Sequence, residues 1–206
     1  MRLISVLVVP TILAALSACN NSGSSGDVVT PPKGPDRYRV KMETTKGDFV
    51  IECVRGWSPL GADRFHELVK IGFYDDARFF RVAPGFVVQF GIKGVPEIDR
   101  KWKDANIDDD PVVGMSNTQA TVCFAKAGMP RTRSTQMFIN IGENSRLDAQ
   151  GFTPFGRVTE GMGVVMNINQ EYAERPDQGK LTEQGNAYLQ AEFPNLDYIK
   201  KATVIP

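Results

Sequence analysis

Between Tyr38 and Val54 apolar and polar residues alternate, and this run constrains the fold more than any other. Tyr38-Arg-Val-Lys-Met-Glu-Thr44 places tyrosine, valine and methionine on one side, and Phe49-Val-Ile-Glu-Cys-Val54 places Phe49, Ile51 and Cys53 on one side. Successive side chains of a strand point to opposite faces, so each run predicts a strand with a buried face. Thr45-Lys46-Gly47-Asp48 turns the chain between them, Gly47 supplying the turn geometry, and the pair predicts a β-hairpin. Cys53 is expected as a small core residue rather than a reactive thiol. Nineteen glycines and thirteen prolines among 206 residues extend this pattern of short elements and many turns, favouring β structure over a helical bundle.

The formal net charge is zero, so no basic field recruits nucleic acid, and no nucleic-acid partner is expected. With 42% hydrophobic and 23% charged residues, the composition is that of one globular domain. His66 is the sole histidine, so a hydrolytic triad or a histidine-ligated metal centre would rest on one imidazole. The cysteines, at 19, 53 and 123, are too few for a disulfide framework and lack zinc-knuckle spacing. Neither metal nor cofactor is expected.

Residues 1–18 read as a signal peptide, with Arg2 ahead of an apolar run from Leu3 to Leu16. That run is shorter than the roughly 20 residues of a membrane span, and Pro10 interrupts it. It ends in Leu16-Ser17-Ala18-Cys19, which resembles the lipobox of bacterial lipoproteins. The resemblance implies lipidation of Cys19 and membrane attachment through it. Asn20, where inner-membrane lipoproteins often carry Asp, implies the outer membrane of the bacterial envelope, facing the periplasm. Residues 19–37, small, polar and then Pro-rich, read as a flexible tether spanning about 20–25 Å. Residues 38–206 are then the folded domain. In an oxidising envelope a Cys53–Cys123 disulfide is open if the two Cα atoms lie within about 7 Å.

Within the domain, Ser58-Pro59 opens a helix with serine as N-cap and proline at the first helical position. Ala62, Phe65, Leu68, Val69 and Phe73 form its buried stripe, Asp63, Arg64, Glu67 and Lys70 are expected to face water, and Gly72 ends it. Ile92 to Asp110 reads as loop, and Asp108-Asp109-Asp110, lacking EF-hand spacing, as a solvated acidic turn. Pro111–Met115, Ala120–Ala125 and Ile199–Ile205 read as strands, and Gly161 to Asn169 as a short second helix. Glu171 to Asp197 reads as a polar stretch with a helical piece near Ala187–Glu192.

Phe79-Phe80-Arg81-Val82-Ala83-Pro84-Gly85-Phe86-Val87-Val88-Gln89-Phe90-Gly91 predicts two short strands meeting at Pro84-Gly85. Alternation puts Arg81 with Ala83 on one face and Phe80 with Val82 on the other. A guanidinium then sits beside apolar surface with an amide nearby, although a core strand with a snorkelling arginine fits the same residues. Ser134–Asn140 and Asn144–Val158 carry further apolar side chains beside glycine turns, suited to an open groove or to a plain core.

Taken in order, Phe80-Arg81-Val82, Pro84-Gly85-Phe86-Val87-Val88-Gln89, Phe124-Ala125, Ser134-Thr135-Gln136-Met137-Phe138-Ile139 and Phe155-Gly156-Arg157-Val158, followed by Glu160-Gly161-Met162, resemble the cyclophilin family of peptidyl-prolyl cis–trans isomerases. The resemblance runs from about Tyr38 to Ile205. It implies a mainly β fold, a closed eight-stranded antiparallel barrel capped by two helices. It also implies Arg81 as the catalytic residue, Phe86, Val87, Phe138 and Leu147 around the proline, and Gln89 and Gln136 on the substrate backbone. Ala125 and Lys126 would lie beside that backbone, and Phe152 aligns with a frequent His of the family. Phe90 replaces a glycine, which is expected to reshape the groove floor. Val87 stands where Met is frequent, Lys126 where Asn is common, and Arg146 where Trp governs tight cyclosporin binding.

The implied partners are proline-containing segments of exported proteins, served by a monomer. Prolyl isomerisation breaks no bond and needs neither nucleophile nor metal, so a single histidine is no obstacle. Lys126, Arg146 and Phe152 leave room for an alternative, a proline-segment binding module or chaperone with little turnover on the same fold. A lipocalin-like carrier is a more remote reading, since it would need a large internal cavity, whereas these aromatic-rich segments are suited to fill a small barrel.

Overall fold

A computed structural model describes residues 28–206. The signal segment and Cys19 lie outside the described residues. Eight strands pair antiparallel in a single sheet: β1 (Arg37–Thr44), β2 (Gly47–Val54), β3 (Arg81–Ala83), β4 (Val87–Phe90), β5 (Thr121–Phe124), β6 (Met137–Asn140), β7 (Gly156–Glu160) and β8 (Ile199–Ile205). Their order is β3-β4-β6-β5-β7-β2-β1-β8. The expected hairpin is present, with Val40 opposite Ile51 and Met42 opposite Phe49, all buried.

The sheet does not form the expected closed barrel; β3 and β8 are its edges. Just ahead of these strands, an isolated Arg78–Tyr198 bridge joins the two sides, flanked by Phe79 N to Asp197 O and Ile199 N to Ala77 O, each 3.0 Å. With three residues, β3 is too short to ladder along β8, which pairs with β1 instead. The amide of Val82 on β3 donates to Ala173 O at 2.9 Å, so a later segment covers this edge.

Five short α-helices occur among the described residues: α1 (Pro59–Lys70), α2 (Pro96–Trp102), α3 (Met162–Met166), α4 (Gln178–Gln184) and α5 (Asn186–Glu192). Of these, α1, α3 and α5 fall where helices were expected, and α2 and α4 were not expected. The segment expected to be loop holds α2, with Pro96 in its first turn. Asp99 of α2 accepts from Lys93 N and Gly94 N at 2.8 Å each and ties down the preceding turn. Pro111–Met115 is not a strand: Val112 and Val113 have strand propensity but are exposed and pair with no strand among the described residues.

Helix α1 begins where expected, but Ser58 makes no side-chain cap bond. Asp110 caps it instead, accepting from Leu60 N and Gly61 N at 2.9 Å each, from Ser58 Oγ, and from Arg133 Nη1 at 3.0 Å. A carboxylate here satisfies orphan amides and complements the positive end of the helix dipole. Asp110 is therefore buried, not solvated. Asp63 and Arg64, expected to face water, are buried as well. Asp63 grips Arg55 through both oxygens at 2.8 and 3.0 Å and accepts Gly34 N at 2.9 Å. Arg64 Nη1 donates to Ala105 O at 2.7 Å. Residues 28–36, read as tether, help cover this face, Val29 N donating to Asn106 O at 2.7 Å. The helical pattern places charges outward by default, and segments outside the helix, near and distant, reverse it here.

Cys53 and Cys123 are free and buried, with no disulfide between them, and burial pushes both thiols up. The main core joins the inner sheet face to Phe65 and Leu68 of α1. A second cluster packs Tyr172, Leu181, Tyr188, Leu189 and Phe193 on Phe80 and Ile92. The stretch read as polar is therefore a small helical layer beside β3. Phe80 belongs to it while Val82 joins the main core, because strand alternation begins only at Arg81.

Candidate active site

Register builds the site. Arg81 lies opposite Gln89 and Ala83 opposite Val87 in β3–β4, and Gln89 lies opposite Phe138 in β4–β6. Alternation sends Ala83, Val87 and Phe138 to an outer cluster with Leu147, whereas Val82, Val88, Phe90, Met137 and Ile139 enter the main core. The expectation that Phe90 shapes the groove floor therefore fails. Its ring is buried at 5.5 Å from Phe79 and 5.7 Å from Tyr74. Leu147 arrives on a 3-10 turn (Ser145–Gln150), and Phe152 follows it, edge-on to Phe138 at 5.6 Å.

The result is a cleft of about 140 Å³ walled by Phe86, Val87, Phe138, Leu147 and Phe152. Arg81, Gln89, Ala125 and Lys126 complete its lining. Of the residues expected around the substrate, Gln136 alone stands outside. It lines an adjoining hollow of about 320 Å³ that shares Gln89, Ala125 and Lys126.

Hydrogen bonds set the guanidinium in this cleft. Arg81 Nη1 donates to Gln89 Oε1 at 3.1 Å, and Gln89 Nε2 donates to Gln136 Oε1 at 2.9 Å. Arg81 Cζ lies 5.6 Å from the Phe86 ring centre, and Arg146 Cζ lies 4.6 Å from the same ring. Lys126 Nζ is 5.2 Å from the Phe152 ring. Aromatic faces attract cations, so the apolar walls also seat the charged rim. Glu174, in the segment between α3 and α4, takes both Nε and Nη2 of Arg81 on one carboxylate oxygen.

Sequence reasoning brought together the cleft residues but missed Glu174, as well as Lys103 and Gln178 in the adjoining hollow. The one available signal was the recurrence of Tyr172, Leu181, Tyr188, Leu189 and Phe193, which marks a packed layer without saying where it docks.

A small apolar cleft edged by the Arg81 guanidinium and the Gln89 amide, with Gln136 in the adjoining hollow, has the size and polarity to seat a compact ring beside polar groups. The family model for cyclophilin type peptidyl-prolyl cis-trans isomerases matches residues 39–186. A peptidyl-prolyl cis-trans isomerase of Acinetobacter baylyi is 34% identical over 133 residues, 63% of this chain and 70% of that protein. Peptidyl-prolyl cis-trans isomerase B of Escherichia coli is 30% identical over 136 residues, 63% and 82% of the two chains. The crystal structure of a Cryptosporidium parvum cyclophilin type isomerase shares the fold at a TM-score of 0.62 and 19% identity, over 82% of this chain and 98% of that one. The chain belongs to the cyclophilin type peptidyl-prolyl cis-trans isomerase family and is an isomerase.

Proposed function

We propose that this isomerase acts on proline-containing segments of exported proteins, with Arg81 stabilising the twisted prolyl amide. The observation that carries this reading is the convergence of Arg81 and the apolar walls on one cleft. A prolyl bond resists rotation because C–N resonance raises a barrier of about 18–20 kcal/mol. In the twisted state that resonance is lost, and the prolyl nitrogen becomes pyramidal and a better acceptor. A guanidinium N–H aimed at it stabilises this state more than either planar isomer, and only such selective stabilisation raises the rate. Phe86, Val87, Phe138, Leu147 and Phe152 hold the ring, and Gln89 and Gln136 offer amide groups to the backbone while the preceding carbonyl swings. The reaction requires no cofactor.

The direct test follows cis–trans exchange of a proline peptide with and without the protein. Acceleration at substoichiometric protein is expected, whereas peptide binding without acceleration would favour a binding module.

We also propose that a lipid on Cys19 anchors the chain to the membrane, a reading that rests on Leu16-Ser17-Ala18-Cys19. A bacterium expressing the full chain is expected to incorporate labelled palmitate into it and to hold it in the membrane fraction. Cys19→Ser is expected to abolish both. Label retained by the serine variant would refute lipidation at this residue.

A further inference from the structure

Among the described residues Arg81 has two polar side-chain partners, and the second is not supplied by the β-sheet. Gln89 holds Nη1 at 3.1 Å, while the carboxylate of Glu174 closes on the opposite edge, taking Nε and Nη2 together. A guanidinium held along two edges loses freedom to rotate about its stem, and its plane is set before any substrate arrives. Glu174 is itself placed by the chain around it. Ala173 takes a positive φ of 49°, a conformation unfavourable for a residue with a Cβ, and its carbonyl accepts the Val82 amide at 2.9 Å. Ala173 N donates to Gln170 O and Arg175 N to Tyr172 O, each at 3.0 Å, closing tight turns on both sides. Tyr172, next to this turn, is packed on Phe193 with ring centres 5.2 Å apart, in the cluster that includes Phe80. The helical layer thus grips β3 on both sides of its start, through Phe80 and through Val82, and delivers one carboxylate to the arginine between them.

We propose that Glu174 is a positioning residue for prolyl isomerisation: it orients the Arg81 guanidinium toward the cleft, and the helical layer exists partly to hold it there. This rests on the role assigned to Arg81 above. Glu174 touches Arg81 and acts through it. Its carboxylate, 56% exposed, contributes little to the stability of the fold.

The test measures kcat and KM on a proline peptide for the wild-type chain, Glu174→Ala, Glu174→Gln, Arg81→Ala and the Glu174→Ala/Arg81→Ala double variant, with thermal melts alongside. Glu174→Ala is expected to lower kcat about tenfold with KM and melting temperature nearly unchanged. That is less than the roughly 10²-fold that misplacing a reacting group can cost, because Gln89 still holds Nη1. Glu174→Gln keeps an acceptor and is expected to recover part of the loss. The double variant is expected to be no slower than Arg81→Ala, since the two changes act on one group. A rise in kcat/KM on Glu174→Ala would mean that the carboxylate competes with substrate, and would overturn the proposal. Unchanged kcat, with Arg81→Ala inactive, would overturn it while sparing the role of Arg81. Full activity in Arg81→Ala would overturn both.

Discussion

Replacing Arg81 by alanine is expected to lower kcat/KM on a proline peptide by about 10²–10³-fold, the usual effect of removing a preorganised donor from a developing charge. The loss should fall on turnover. Binding of the ring depends on Phe86, Val87, Phe138, Leu147 and Phe152, none of which needs the guanidinium to hold its place. The fold should survive, because Arg81 lies at the cleft with 28% of its side chain exposed, while Val82 beside it stays buried in the main core. Arg81→Lys keeps the charge but cannot form the planar fork that now meets Gln89 and Glu174, and is expected to fall between the two. Peptide isomerisation kinetics with parallel melting curves check all three.

The largest stability effect is expected at Asp110. Alanine there removes the acceptor for Leu60 N, Gly61 N, Ser58 Oγ and Arg133 Nη1 at once, leaving a buried helix end and the Arg133 guanidinium short of partners. Breaking a buried charge pair on one side costs about 3–5 kcal/mol. For a domain of this size that lowers the melting temperature by about 10 °C. Asp108→Ala, two residues earlier and with its side chain 54% exposed, is expected to stay within about 0.5 kcal/mol of wild type. Thermal or urea melts of the two variants decide it: equal stabilities would mean that Asp110 is not the cap.

What could be read from the residues depended on how local the determining force was. β1 and β2 were legible because one face is buried along their length, so alternation in the chain maps onto alternation in space. The same rule applied to Val87-Val88-Gln89-Phe90 would have placed Phe90 inside, since it shares parity with Val88 and not with Gln89. Most of the cleft was legible through an ordered series of short motifs, each weak alone. Charges resisted reading. Asp63, Arg64 and Asp110 look like surface residues in any local window, and although Arg55 and Glu67 pair Asp63 and Arg64 from nearby, Gly34, Ala105 and Arg133 bind the three from much farther along the chain. Glu174 resisted for the same reason, since its partner lies 93 residues earlier in the chain. The closed barrel was a family expectation that short β3 does not complete here as a ladder.

The central claim is that Arg81 acts on the twisted amide and not on the bound peptide. The most direct measurement is exchange spectroscopy on one proline peptide, giving its dissociation constant and its bound-state isomerisation rate for wild type and Arg81→Ala. The expected result is a dissociation constant within about threefold of wild type and a bound-state rate lower by about 10²-fold or more. An unchanged bound-state rate, or weakened binding that accounts for all the lost activity, would contradict it.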